Sequence, residues 1–344
     1  MILRLIEPLI LNSLEKHQKI HLIYGPRQAG KTTLLLSIKT KIEQKGLPTL
    51  YLNCDLEENR QAINTTALTS LNQLLQNTKI LLIDEAQRLD NPGLTLKIIH
   101  DNLPQVKVVA TGSSSFQLKN SLSDALTGRY LDFTLFPLSF SEITNFQALS
   151  TNQALRKQQT DTMLPSLLLF GFYPEVYLHG SPTDKQLFLN KIVESYLFLD
   201  ILAFQKVRHS QELVNLTKAL AYQVGSEVNE NELANRLKIN RKTVVRYLDL
   251  LEQTFVIVRV HPFSKNPRRE IGRNYKIFFL DIGLRNALIN DFNSLEIRPD
   301  LGALWENFVI AERIKKAANQ NQALSYYFWR TYGGAEVDWL EQSS

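Results

Sequence analysis

Residues 25–32 read Gly-Pro-Arg-Gln-Ala-Gly-Lys-Thr. Two glycines frame four residues, and an ammonium and a hydroxyl follow at once. Upstream, Lys19-Ile-His-Leu-Ile-Tyr24 is short, apolar and rich in strand formers. Downstream, Thr32-Thr-Leu-Leu-Leu-Ser-Ile-Lys39 reads as a buried helix start. The loop therefore joins a strand to a helix, the setting in which G-x-x-x-x-G-K-[ST] cradles a phosphate. Gly25 and Gly30 permit backbone angles that other residues resist. The loop's N–H groups can then turn inward around an anion, and the helix N-terminus adds partial positive charge. The expected binding loop is Gly25, Pro26, Arg27, Gln28, Ala29, Gly30, Lys31, Thr32 and Thr33. Lys31 is expected to reach the terminal phosphates, and the Thr32 hydroxyl to bind Mg²⁺.

Such a loop names a ligand, not an activity. A second piece comes at Lys79-Ile-Leu-Leu-Ile-Asp-Glu-Ala-Gln87. Four apolar residues in a row suit a central parallel strand covered on both faces. Asp84 and Glu85 then sit at its C-terminal end, where open α/β sheets bind ligands. Asp84 suits the outer shell of the metal, and Glu85 suits a general base for an attacking water. A third strand, Val106-Lys-Val-Val-Ala-Thr-Gly-Ser-Ser114, ends in polar residues. If it lies between the first two, Thr111 or Ser113 can position that water or sense the phosphate. Arg129, in Leu126-Thr-Gly-Arg-Tyr130, precedes another apolar strand over 131–138. It suits either an arginine finger reaching a neighbouring subunit's phosphate or a structural ion pair.

At 344 residues and 44% hydrophobic composition the chain has room for two or three domains with substantial cores. One cysteine, Cys54, excludes an internal disulfide and fits a reducing cytoplasm. The N-terminus lacks the pattern of a signal peptide. No apolar run approaches the roughly 18 residues that span a bilayer. A cytoplasmic protein without membrane contact is the expectation.

The net charge of +5 is unevenly placed. Residues 235–276 hold eleven Lys/Arg against three acids, a net +8, which leaves −3 for the rest of the chain. Within this segment, 229–237 reads as a short amphipathic helix and 238–240 as a turn. Asn240 is a good N-cap for a second helix over 241–252. At about 100° per residue, Val244, Tyr247, Leu248 and Leu251 share one face, with Lys242 and Arg246 opposite. A strand over 255–260, a basic loop over 262–273 and a returning strand over 275–280 complete a wing. The pattern is that of a winged helix. Its candidate DNA contacts are Arg241, Lys242, Arg246, Arg268, Arg269 and Arg273; a protein contact is the alternative. Residues 140 to about 215 read as mainly helical, interrupted at Gly171-Phe-Tyr-Pro-Glu175, with Tyr196–Phe204 as buried helix.

With these stretches in order, the chain resembles, nearly end to end, a prokaryotic family of AAA-type P-loop ATPases with a C-terminal domain of unknown function. The matching stretches include residues 25–33, 83–87, 111–114 and 127–130. Further on they include Phe136-Pro-Leu-Ser-Phe140, 171–175, 243–248 and Asp281-Ile-Gly-Leu284. The resemblance implies an α/β fold whose five-stranded AAA-type parallel sheet is followed by a helical region, a winged helix and a small α/β C-terminal segment. The expected domains are a P-loop NTPase over 1–140, a helical lid or linker over 141–215, a winged helix over 216–288 and an incomplete nuclease-like segment over 289–344. ATP or ADP with Mg²⁺ is the implied ligand, with hydrolysis at Glu85 and a homo-oligomeric ring as a possible assembly. An ATP-bound switch with little turnover is the rival reading. The absence of N-K-x-D argues against a GTPase, and that of L-S-G-G-Q against a transporter ATPase. In this family the C-terminal region looks like a restriction-type nuclease core, matched here by Glu306 and Asp338. The acid-x-lysine strand that completes such a core is missing from the 344 residues, so a shortened, structural cap is expected.

Overall fold

Five short strands carry the N-terminal part of the chain: β1 (Ile20–Tyr24), β2 (Thr49–Asn53), β3 (Ile80–Asp84), β4 (Lys107–Gly112) and β5 (Tyr130–Thr134). The computed structural model describes residues 2–112, 126–194, 210–264, 274–331 and 335–343. By its internal contacts the chain divides into two units. One is Met1–Phe136 with Ala318–Asn321, and the other is Pro137–Ala317 with Gln322–Ser344.

In the first unit all five strands are parallel, in the order β2-β3-β4-β1-β5. The mostly apolar strands β1 and β3 are buried at every position, His21 and Asp84 included, as central strands with both faces covered require. β4 lies between β1 and β3, so the tips of all three point to one edge. One face of the sheet is closed by α1 (Glu7–Lys16) and α2 (Lys31–Gln44). Ile6, Ile10 and Leu14 pack there with Leu34, Leu35, Ile38 and Ile42 against Ile23, Leu82, Val109 and Phe133. The remaining helices of this unit are α3 (Glu57–Ile63), α4 (Leu68–Leu75) and α5 (Pro92–Asn102). This is the P-loop NTPase sheet. β5 stops at Thr134, short of the expected 138. Pro137 offers no N–H to a ladder, and Ser139 already caps the next helix in a reciprocal box with Glu142.

The second unit begins with helices α6 (Phe140–Phe146), α7 (Gln153–Phe170), α8 (Pro174–Leu178) and α9 (Pro182–Ile192). Tyr196–Phe204 lies outside the described residues. Next come α10 (Ser210–Tyr222), β6 (Glu227–Val228), α11 (Glu230–Leu237) and α12 (Arg241–Gln253), then β7 (Ile257–Pro262) and β8 (Tyr275–Phe279). Asn229 and Asn240 cap α11 and α12, accepting from Asn231 N and Lys242 N. Val244, Tyr247, Leu248 and Leu251 are buried, while Lys242 and Arg246 are exposed. β8 pairs antiparallel with both β6 and β7. β7 starts two residues later than its apolar run. Phe255 takes φ +62° and donates back to Glu252, so the helix end consumes those positions.

After α13 (Ile282–Ile289) and α14 (Leu301–Asn319), β9 (Leu324–Arg330) joins β7 in parallel and pairs antiparallel with β10 (Glu336–Ser343). The second sheet therefore runs β10-β9-β7-β8-β6. A buried polar lock holds this unit. Asp281 caps α13 at Leu284 N and accepts from Phe172 N at 2.8 Å, while Asn286 Nδ2 donates to the carbonyls of Leu168 and Leu169. The stretches 171–175 and 281–284 are thus structural partners of each other. No helix among the described residues is long and apolar enough to cross a membrane.

Candidate functional site

β1 ends at Tyr24, and the loop turns at once into α2. Gly25 is obligatory here: a Cβ would lie 2.0 Å from the Leu135 carbonyl oxygen, on the chain just after β5. Gly30 caps α2 at φ +93°, in the left-handed region. Gln28 also takes a positive φ of 59°, so the loop's curvature is concentrated between 25 and 30. The loop is clamped from outside its own segment. Arg4 Nη1 donates to the Ala29 carbonyl at 2.7 Å, and its Nη2 to Phe136 O at 2.6 Å.

Lys31 is 4% exposed. Its ammonium donates to the carbonyls of Gly25 and Pro26 at 2.9 and 2.8 Å. Burial pushes its pKa down to about 8, opposed by the nearby carboxylates of Glu85 and Asp84. A buried cation held by neutral carbonyls is a charge that an anion would stabilise.

Asp84 collects three hydroxyls. Thr32 Oγ1 donates to Oδ2 at 2.7 Å and Tyr51 OH to the same oxygen at 3.2 Å, while Thr111 Oγ1 donates to Oδ1. Thr111 Oγ1 also accepts from the Glu85 backbone N–H at 3.0 Å, tying the tip of β4 to the residue after β3. Glu85 sits at φ +55°, unusual for a side-chain-bearing residue. That turn sends the chain out of β3, and Gln87 Nε2 donates to the Glu85 carboxylate. A hydroxyl and a carboxylate side by side are hard oxygen donors, the set Mg²⁺ prefers. Thr32 and Asp84 therefore fit that ion.

Lys31, Thr32, Asp84, Glu85 and Thr111 thus come to one edge of the sheet. Ser113 lies outside the described residues, as do Arg268, Arg269 and Arg273. Arg129 is not at this edge. Its carbonyl accepts from Ile20 N at the start of β1, and Tyr130 is in register with Ile20. At about 3.3 Å per residue, the length of β1 puts its backbone at least roughly 13 Å from the loop. Its Nε donates to Asp101 at 2.8 Å, and that pairing, the larger cause, together with His100 holds the Asp101 carboxyl at about 2. Within this chain Arg129 forms the ion pair with Asp101. Arg4 and Tyr51 carried no motif and were not expected.

Glu306 and Asp338 also converge, on a cation. Lys276, from β8, meets Glu306 at 3.4 Å, Glu336 at 2.7 Å and Asp338 at 2.8 Å. Among the described residues no group of three or more His, Cys, Asp or Glu is arranged to hold a metal. The lysine ammonium is what these acids hold.

Comparison with known proteins matches three stretches of the chain. A family model described as an AAA domain matches residues 17–144. Two domains of unknown function, DUF8612 and DUF4143, match 161–295 and 301–344. An uncharacterized protein of Haemophilus influenzae is 27% identical over 282 residues, covering 78% of this chain and 69% of its own length. One from Mycobacterium tuberculosis is 28% identical over 322 residues, covering 92% of this chain and 66% of its own length. This chain thus spans about two thirds of those relatives. Among solved structures, a Walker-type ATPase of Pyrococcus abyssi superposes with a TM-score of 0.55 at 16% identity, over 82% of this chain and 94% of that one. The AAA-domain match and this superposition agree with the P-loop NTPase fold of the parallel sheet.

Proposed function

We propose that this chain is a Mg²⁺-dependent ATPase whose nucleotide cycle moves a basic winged helix on DNA. One observation carries the reading. A buried ammonium, Lys31, hydrogen-bonded to two loop carbonyls, sits beside a hydroxyl–carboxylate pair, Thr32 and Asp84, 2.7 Å apart. The backbone N–H groups of residues 27–33 and the Lys31 ammonium bind the phosphates, replacing the two carbonyl contacts. Thr32 and Asp84 hold Mg²⁺, which neutralises charge on the phosphate oxygens when bound. Glu85 orients a water and takes its proton. Tyr51 and Thr111 hold the Asp84 carboxylate in place, and Thr111 links that carboxylate to the Glu85 backbone. Arg129 is assigned to its ion pair with Asp101.

Helices α10, α11 and α12 with strands β6, β7 and β8 supply the winged-helix reading. The exposed Lys242 and Arg246 on α12 are its DNA-facing candidates. Arg241 pairs with Glu230 at 2.6 Å, a contact that DNA phosphates would have to displace.

The test is Glu85→Gln. ATP binding should persist while turnover drops by about 10²–10⁴-fold, the range typical of a lost general base. Turnover that survives this change removes Glu85 from the chemistry. DNA affinity should fall steeply with salt; a titration with no DNA binding at low salt leaves a nucleotide-driven switch instead. Mass measurement with a non-hydrolysable ATP analogue and Mg²⁺ tests for a ring.

A further inference from the structure

The sheet edge opposite the phosphate loop holds a second feature. A cavity of about 230 Å³ opens between the C-terminal turns of α1 and α2 and the first residues of β3 and β4. Its floor is aliphatic. Leu14, Ile42 and Ile80 are buried in the core, Leu11 packs beside them, and Leu47 is 41% exposed. Its rim is cationic, with Lys45, Lys79 and Lys107 against a single acid, Glu15. Two of those lysines are engaged by the fold. Lys45 pairs with Glu15 at 2.6 Å. Lys107 Nζ donates to the carbonyls of Leu14 and Glu15 and so closes the end of α1. The Lys79 ammonium has no partner among the described residues.

Size and charge together select an occupant. The cavity is smaller than the roughly 300–1,000 Å³ of small-molecule sites, and suits one bulky side chain. The excess positive charge at its mouth calls for carboxylates or phosphates. An aliphatic floor gives nucleobases no aromatic surface on which to stack, which leaves a peptide. We propose that the cavity docks an acidic peptide segment of a partner protein, which inserts one bulky apolar side chain and sets flanking carboxylates on Lys79 and the lysine rim. The apolar anchor supplies affinity, and the charges supply steering and register.

This site is separable from the nucleotide. α2 starts at Lys31 and runs about 21 Å, at 1.5 Å per residue, to reach the cavity. The proposal needs no ATP chemistry.

Fluorescence anisotropy of a labelled Asp-Asp-Phe-Glu-Glu peptide with the full chain tests it. Saturable binding is expected at low salt. Lys79→Glu and Leu47→Asp should each weaken it by about tenfold, as should Phe→Gly in the peptide. Both protein variants alter exposed side chains, so an unchanged melting temperature should accompany the loss. Four results overturn the proposal: no saturable binding to the wild-type chain, full affinity in Lys79→Glu, equal binding of the Phe→Gly peptide, or displacement by 4-phenylbutyrate at the peptide's own affinity. The last would make the cavity a small-carboxylate site.

Discussion

If Lys31 holds phosphate as proposed, nucleotide binding should be proton-linked above neutral pH. The ammonium is buried against two carbonyls, and burial lowers its pKa from 10.5 to about 8. That shift corresponds to about 3 kcal/mol in favour of the neutral amine. Below pH 8 the group is charged in both folded and unfolded chains. Between pH 8 and 10.5 the unfolded chain keeps a proton that the native one has shed. The nucleotide-free protein therefore gains stability from this group as pH rises through that window. ATP reverses the preference, because phosphate beside Lys31 favours the charged form. Binding at pH 9 should then take up close to one proton, against almost none at pH 7. Affinity should fall by about tenfold per pH unit above 8. Titration calorimetry in two buffers of different ionisation enthalpy counts the protons directly. Lys31→Arg keeps its charge throughout, and should bind with no such slope. Zero proton uptake at pH 9, with an affinity flat from pH 7 to 9.5, would refute the pairing of Lys31 with phosphate.

Three further changes probe the frame around that lysine and the second unit. Gly25→Ala places a Cβ 2.0 Å from Leu135 O, which neither backbone can vacate cheaply. It should cost about 3 kcal/mol in urea unfolding and lose nucleotide binding. Tyr51→Phe removes a 3.2 Å hydrogen bond to Asp84, worth about 1 kcal/mol. The Mg²⁺ concentration at half-maximal turnover should rise by about fivefold, with metal-free ATP affinity unchanged. Lys276→Met leaves Glu306, Glu336 and Asp338 without their shared cation. Glu306 is already pushed up by burial, against the pull of Lys276, and without that cation it would resist ionising further. Chemical unfolding should show a loss of about 2 kcal/mol at pH 7. Because Glu306 in the variant would titrate still further above its unfolded value, that deficit should shrink as pH falls toward 4.5.

What the sequence made legible was local. The spacing Gly25, Gly30, Lys31, Thr32 specifies its own geometry, because a strand, a tight turn and a helix start constrain one another over a few residues. The apolar run before Asp84 marked a central strand for a similar reason, and the cap at Asn240 announced α12. The partners that immobilise these pieces come from afar in sequence. Arg4 reaches Ala29, Tyr51 reaches Asp84, and Asp281 reaches Phe172 across more than a hundred residues. No spacing encodes such meetings, since they exist only after the sheets are paired. Arg129 shows the cost of reading a charged residue without its surroundings. Its position before a strand was read correctly, but in a parallel sheet a strand's beginning and end lie at opposite edges. Direction along the strand places Arg129 beside Asp101, away from the phosphate loop of its own chain. Lys276 makes the same point for the C-terminal acids. Glu306 and Asp338 read in the sequence as parts of a structural cap, and Lys276 on β8 is the distant partner that meets both.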